Sequence, residues 1–422
     1  MALEDYVADM ERCSQCTFCE WVPLDQIKSW RFAKGCPSVS FNNFLSYSAR
    51  GRLAAARSIL QGNGYSDRVL DIVYKCLTCG SCDVSCKICR YNMEPLETMR
   101  ELRFRLVQDG QLLAQHIPLI DNLRKEDNMM MQPRTSRSKW TEGLDIKDLA
   151  KASAETVFHA GCRFSYDETQ WNIPRTAVTL LKDAGIDIGI LGKDESCCGG
   201  RAYDMGYKGE FTKFAENNIE IWKNAGVKTV VTSCADCYHA FKRLYPPLGS
   251  KIEVIHTVEY LDRLIKQGKI KFTKNIPLQV TYHDPCHLGR QGEPYVPWNG
   301  KEKKILGQLV IYEPRKPRYS GINGIYESPR DVLKAIPGIK LVEMERIKEY
   351  AWCCGSGGGV RESYPDFSAW TAKERIEEAR CTGAEAIVSA CGWCERNFKD
   401  AVDAMGEKMK VLDIAELVRQ SI

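Results

Sequence analysis

Ten of the twenty cysteines fall into two copies of one pattern. The first copy is Cys162, then Cys197-Cys198-Gly199, then Cys234-Ala235-Asp236-Cys237; the second is Cys286, then Cys353-Cys354-Gly355, then Cys391-Gly392-Trp393-Cys394. Thiolates are soft ligands that select iron–sulfur clusters and zinc. Four of them complete either a zinc site or a cubane cluster. Five per copy is one more than either centre needs, and that surplus directs attention to metal–sulfur redox chemistry.

The remaining cysteines concentrate near the start. Cys13, Cys16 and Cys19 form C-x2-C-x2-C, and Cys36-Pro37 follows; Cys76, Cys79 and Cys82 repeat the run, with Cys86 three residues on. This resembles the bacterial two-cluster ferredoxin run, in which one tight loop wraps three corners of a cubane and the fourth cysteine serves the other cluster. The resemblance implies one [4Fe-4S] cluster on Cys13, Cys16, Cys19 and Cys86, and a second on Cys76, Cys79, Cys82 and Cys36. Two features depart from it. An insertion precedes Cys36, and Lys87 stands where proline usually follows the last ligand. Cys89 rivals Cys86, although the spacing favours Cys86. A pair of zinc ribbons fits poorly, because zinc sites draw two ligands from each loop. A disulfide framework fits poorly as well, since CxxC spacing in a chain without a signal-peptide core suits metal better than crosslinks.

Around these cysteines the chain must build elements to hold them. Apolar periodicity predicts helices over Ser48–Leu60, over Asp67–Lys75 leading into Cys76, and from Pro95 through Leu96, Met99, Leu102 and Leu106. Residues 1–124 therefore read as an α-helical ferredoxin-type domain. Residues 125–150 are polar and basic, with Pro133 and Gly143, and read as a linker; Met129-Met130-Met131 within it reads as ordinary packing in preference to a partner-facing patch.

The rest is an internal repeat. At an offset of 157, Ala215 meets Ala372, Gly226 meets Gly383, Cys234 meets Cys391 and Cys237 meets Cys394. His159 and His283 each stand three residues before the lone cysteine. A fixed period of this kind marks duplication of one unit, here 151–275 and 276–422. In each unit an apolar strand enters the first cysteine, and a helix (Gly209–Ala225, Phe367–Arg380) precedes a β-branched strand (Thr229–Thr232, Ala386–Ser389) that runs into the CxxC. Strand–helix alternation predicts an α/β unit with a parallel sheet and ligands at the C-terminal strand ends. The two units are expected to face each other across a pseudo-twofold axis. Cys381 aligns with Asn224 at a helix end and is not expected to be a ligand.

These spacings resemble the CCG-domain family. The order of a ferredoxin part and two CCG units is that of heterodisulfide reductase D subunits, equivalent to fused C and B subunits. The resemblance implies a noncubane [4Fe-4S] cluster on the five cysteines of each unit: Cys162, Cys197, Cys198, Cys234 and Cys237, and Cys286, Cys353, Cys354, Cys391 and Cys394. It also implies a disulfide or thiol substrate between the two clusters. With two cubane clusters upstream, the expected function is an iron–sulfur oxidoreductase subunit of anaerobic metabolism. The alternative is a pure electron-transfer subunit of a larger complex with no disulfide substrate of its own. A similar architecture occurs in the D component of the tungsten benzoyl-CoA reductase complex.

Glycines after each cysteine pair, Gly199 and Gly200 and then Gly355 and Gly357, are expected to let backbone approach a cluster and donate N–H groups to its sulfurs. Gly355-Ser356-Gly357-Gly358-Gly359 is neither GxGxxG nor a P-loop. His287 directly follows Cys286 and could give a proton to a departing thiolate; hydrogen bonding to a cluster sulfur suits it equally. The second unit is longer between Cys286 and Cys353, by roughly Gln291–Asn323, a basic stretch with a strand at Leu309-Val310-Ile311. This reads as a surface hairpin or, more sharply, as a docking element or a lid over an anionic substrate.

The 59 basic and 55 acidic residues nearly balance, which gives no reason to expect nucleic-acid binding. No apolar run approaches the ~18 residues of a transmembrane helix, and Met1–Met10 has no signal-peptide core. The expected location is the cytoplasm, with any membrane association made through a partner. The chain carries no flavin, NAD or haem motif, so a flavoprotein or cytochrome subunit is expected to deliver electrons.

Overall fold

The computed structural model describes residues 2–89, 93–306 and 309–422; the side chains of Cys89, Lys304, Leu309 and Val310 also lie outside the described set. The N-terminal part is helical. The helix Ala49–Leu60 begins where the Ser48 hydroxyl accepts the Gly51 N–H, and Asp67–Tyr74 begins where Ser66 accepts from Val69. Each cap satisfies an amide that the first helical turn leaves orphaned. Pro95–Gln108 places proline in its first turn, where the missing N–H is no loss. Leu53, Ala56, Val73, Leu102 and Leu106 from these helices form one small core.

The following strands are β1 (Lys147–Asp148), β2 (Thr156–Phe158), β3 (Ile188–Ile190), β4 (Thr229–Thr232), β5 (Glu253–His256), β6 (Leu278–Tyr282), β7 (Lys301–Ile305), β8 (Leu309–Glu313), β9 (Ile339–Leu341), β10 (Ala386–Ser389) and β11 (Lys410–Asp413). They make a sheet of order β1-β3-β2-β4-β5 and another of order β11-β10-β6-β9, with every pair in both sheets parallel. Removing the edge strand β1 leaves the same four-strand order in both units, which is duplication expressed as topology. The offset is 157 for β4 against β10 and for β5 against β11 (386 minus 229, and 410 minus 253). One apolar core runs through both sheets, joining Val157, Phe158, Val230 and Val231 to Val280, Tyr282, Ile387 and Val388. Strands buried on both faces are expected to carry apolar runs, and β2, β4 and β10 do so at Val157-Phe158, Val230-Val231 and Ile387-Val388.

Two segments differ from their sequence reading or refine it. Residues 125–150 are not a loose linker but part of the first unit. Asp127 accepts from the Ser196 hydroxyl and the Cys197 N–H, Trp140 packs on Phe158, and β1 extends the sheet. Polar composition misled here because these polar groups are spent on fixing the loop that carries Cys197. The Gln291–Asn323 insertion does contain a hairpin, β7 against β8, with Trp298 and Tyr312 edge to face and Lys316 over both rings.

Candidate functional site

In the N-terminal part the cysteines gather into two neighbouring cavities. One is lined by Cys13, Cys16, Cys19 and Cys86 together with Ala49, Leu53 and Met93. The other is lined by Cys36, Cys76, Cys79 and Cys82 with Ala49, Arg52 and Leu96. Ala49, at the start of its helix, stands on the wall of both. Each cavity therefore takes three thiols from one run and the fourth from the other. The Cys89 side chain lies outside the described residues. Cys16 is exposed, whereas Cys76 and Cys79 are buried, so the first cavity is the one nearer solvent.

The repeat cysteines form a single file. Cys162 contacts Cys197, Cys197 contacts Cys198, Cys198 contacts Cys237, and Cys237 contacts Cys234. Cys234 then touches Cys391 of the second unit, and the file continues through Cys394, Cys354 and Cys353 to Cys286. Cys353 also touches Cys79 of the second N-terminal cavity. All ten are buried apart from the half-buried Cys286, and Cys381 is exposed. Among the described cysteines none is disulfide-bonded. Buried free thiols packed this closely are ordinary only where a metal claims them, since the donor set is all sulfur.

Strand ends and helix starts place these sulfurs. β4 ends two residues before Cys234, and the helix Ala235–His239 starts immediately after it; β10 and Gly392–Met405 repeat the device at Cys391. Backbone N–H groups point back at sulfur: Gly199 to Cys197 Sγ at 3.4 Å, Gly355 to Cys353 Sγ at 3.5 Å, and Gly200 to Cys198. Gly357 does something different. A Cβ there would lie 2.3 Å from the Leu77 carbonyl oxygen, and one on Gly358 would lie 2.6 Å from that of Cys76. These glycines let the second unit seat directly on the N-terminal cysteine loop.

The charged groups around the file differ between the units. In the first, Arg137 reaches Glu195 at 3.2 Å and lies 3.8 Å from Cys162 Sγ. Glu195 also accepts the N–H groups of Ala160 and Gly161. In the second, Arg375 Nε donates to His283 Nδ1 at 3.1 Å. That bond leaves the imidazole proton on Nε2, and His283 forms a close trio with Cys354 and Cys394, all ligand atoms within 4.8 Å of one another. Arg290 pins the junction with the N-terminal part: its Nε donates to the Cys79 carbonyl at 2.6 Å and Nη1 to that of Ala351 at 2.7 Å. Arg103, fully buried, donates to the carbonyls of Asp204, Gly358, Val73, Tyr74 and Cys76.

His287 lies between two carboxylates of the first unit. Nδ1 is 2.6 Å from Asp236 and Nε2 is 3.3 Å from Asp204. Burial opposes its protonation, but the Cys286 thiol and both carboxylates hold the imidazole well above its ordinary range. Its ring stacks on His239 at 4.8 Å. Among the described residues no helix is long and apolar enough to cross a membrane.

The comparisons with known proteins agree with this geometry. Residues 156–242 and 280–399 match the family described as "Cysteine-rich domain" (CCG), and residues 9–88 match "4Fe-4S dicluster domain". Over 98% of its length the chain is 30% identical to the D subunit of the dihydromethanophenazine:CoB–CoM heterodisulfide reductase of Methanosarcina mazei, of which 94% is covered. The chain belongs to the family of heterodisulfide reductase D subunits. Members of this family are iron–sulfur oxidoreductases, and the helical dicluster part followed by two parallel α/β CCG units is the architecture of this one. Other relatives are longer. "EtfAB:quinone oxidoreductase" of Syntrophomonas wolfei is 28% identical over 82% of this chain and 46% of its own length. "Probable iron-sulfur-binding oxidoreductase FadF" of Bacillus subtilis is 28% identical over 83% and 46%.

Several residues around the file carried no sequence signal. Arg100, Arg103, Arg137, Glu195, Arg290 and Arg375 stand in no motif and are recognisable only once the fold has buried them. Arg163 and His287 carried a faint one, since each directly follows the lone cysteine of its unit.

Proposed function

We propose that this chain is the iron–sulfur subunit of a disulfide-active oxidoreductase. Cys13, Cys16, Cys19 and Cys86 would hold one cubane [4Fe-4S] cluster; Cys36, Cys76, Cys79 and Cys82 would hold a second. The five cysteines of each CCG unit would hold a noncubane [4Fe-4S] cluster. When bound, such clusters supply one-electron transfer and, in the CCG units, iron open to a substrate sulfur. The crossed partition of thiols between the two N-terminal cavities supports the first pair of assignments. Arg137, Arg290, His283 and the amides of Gly199, Gly200 and Gly355 are placed to hydrogen-bond or electrostatically support cluster sulfur, and such contacts tune potential.

One observation carries the reading: the thiol file is unbroken from Cys79 to Cys162, and its midpoint is the contact of Cys234 with Cys391. Each residue is the repeat equivalent of the other (391 minus 234 is 157). A residue that touches its own equivalent lies on the axis relating two units. A disulfide bound there would meet one CCG unit on each side, and electrons would reach it from the N-terminal part through the Cys79–Cys353 junction. They would enter at the exposed Cys16 end from a flavoprotein or cytochrome partner, with the chain itself in the cytoplasm.

The second reading is a relay subunit with no disulfide of its own. The similarity to EtfAB:quinone oxidoreductase favours it, since that relative is named an oxidoreductase between EtfAB and quinone. Anaerobic EPR of the iron-loaded chain, titrated with a panel of thiols and disulfides under oxidising conditions, separates the two. The reductase reading expects a paramagnetic signal that appears with one thiol and broadens with isotopically labelled sulfur. Fully iron-loaded protein with no thiol-dependent signal leaves the relay.

A further inference from the structure

Arg163 and His287 occupy the same place in the repeat, each one residue after the lone cysteine of its unit. Asp236 and Trp393 likewise correspond, each being the second inner residue of a CxxC (393 minus 236 is 157). The structure joins these four residues crosswise. His287 of the second unit meets Asp236 of the first at 2.6 Å. Arg163 of the first unit lies over the Trp393 ring of the second, 5.0 Å from its centroid. The two contacts are equivalent across the axis marked by Cys234 and Cys391, yet one is a charge-assisted hydrogen bond and the other a cation–π contact.

We infer that Arg163 and His287 are reciprocal clasps: each holds the CxxC loop of the opposite unit, and together they fix the separation of the two five-cysteine sets. Both are positioning residues. The Arg163 clasp is reinforced on its own side of the axis. Gln170 accepts from Arg163 Nε at 3.0 Å and donates to the Gly392 carbonyl at 2.9 Å. Phe164 occupies the space a Cβ on Gly392 would need, 2.7 Å away. Arg201, also of the first unit, lies 4.1 Å from the Trp393 centroid and donates to the Ser356 carbonyl at 3.1 Å. The His287 clasp extends in the other direction. Asp204, 3.3 Å from His287 Nε2, accepts from Arg100 Nε at 3.0 Å, and Arg100 also donates to Gln291 at 2.7 Å. Arg100 belongs to the helix Pro95–Gln108, so this clasp registers the first unit's CxxC loop against the N-terminal domain as well. All four clasp residues except the half-buried Asp236 are buried, which keeps water from competing for these contacts.

A clasp makes a prediction that a local role does not: its loss should be felt in the other unit. Hydrogen–deuterium exchange of the iron-loaded full-length chain reads this directly. Arg163→Met should speed amide exchange at 391–395 roughly tenfold and leave 234–238 unchanged. His287→Gln should do the reverse. Trp393→Leu and Trp393→Phe approach from the partner side and keep the test open if Arg163→Met does not fold. Leu should loosen residues 162–166, and Phe, which keeps an aromatic face, should not. Loosening confined to the mutated residue's own unit, or none in either loop, overturns the inference. So does loss of iron with no change in the opposite loop, which would make the residue a support of its own cysteines. The inference borrows from the proposed function only that both sets hold clusters. A crosswise pattern in a chain lacking any thiol-dependent EPR signal would uphold the clasps and reject the reductase.

Discussion

Cys79 of the N-terminal domain and Cys353 of the second CCG unit are in direct contact, 274 positions apart in the chain. Arg290 stands over the pair, and the contact with Cys353 pulls the Cys79 thiol below its ordinary range against the effect of burial, with Arg290 adding to it. Among the described residues the first unit shows no such thiol contact with the N-terminal domain: Cys197, the repeat counterpart of Cys353, meets Cys162 and Cys198 instead. By these thiol contacts the N-terminal domain adjoins one repeat unit, and the other is joined to it through Cys391 and Cys234.

This arrangement predicts an order of loss. Cys353→Ala should remove iron from the second unit and leave the two N-terminal cavities loaded. Dithionite-reduced N-terminal clusters in that variant should fail to pass electrons to the first unit. Iron analysis with stopped-flow absorbance checks it; first-unit reduction at the wild-type rate would refute the order.

Gly357→Ala should separate the domains without emptying them. The new methyl would meet the Leu77 carbonyl at 2.3 Å, a backbone atom with no freedom to yield. Iron content should stay at the wild-type value, while electron transfer between the N-terminal domain and the second unit slows at least tenfold. Normal transfer would show that the seat is not needed.

Arg103→Met should be among the most damaging substitutions outside the cysteines. It strips a charged donor from five buried carbonyls at the meeting point of all three domains. Each buried acceptor left unsatisfied costs about 1–3 kcal/mol, so a large drop in thermal midpoint is expected by calorimetry. Arg103→Lys should recover little, because one ammonium cannot span the same set of acceptors.

His116 gives the fold an acid-sensitive point. It is buried beside the Gly359 carbonyl and edge-on to Tyr74, and burial, with Arg103 nearby, lowers its pKa from 6.5 to about 3. Between those values the unfolded chain binds a proton that the folded chain refuses. Stability should therefore fall as pH drops below about 6.5, by up to ~1.4 kcal/mol per pH unit from this residue. His116→Leu should flatten the slope of thermal midpoint against pH between 6.5 and 4 relative to wild type. An unchanged slope would assign the acid sensitivity elsewhere.

The sequence by itself determined the iron–sulfur character of the chain and the repeat. Cysteine spacing is local, and duplication copies register, so the strands Thr229–Thr232, Leu278–Tyr282 and Ala386–Ser389 and the helices around them could be read from pattern alone. What it could not show is which cysteine meets which across the domains, or which charges guard them. Residues 125–150 read as a linker because Asp127 and Arg137 find partners in the first unit tens of positions along the chain. The Cys79–Cys353 contact, the Cys234–Cys391 axis and the crossed contacts of Arg163 and His287 join residues tens to hundreds of positions apart. Contacts of that kind exist only once two sheets and a helical domain have packed together, and no periodicity in the chain records them.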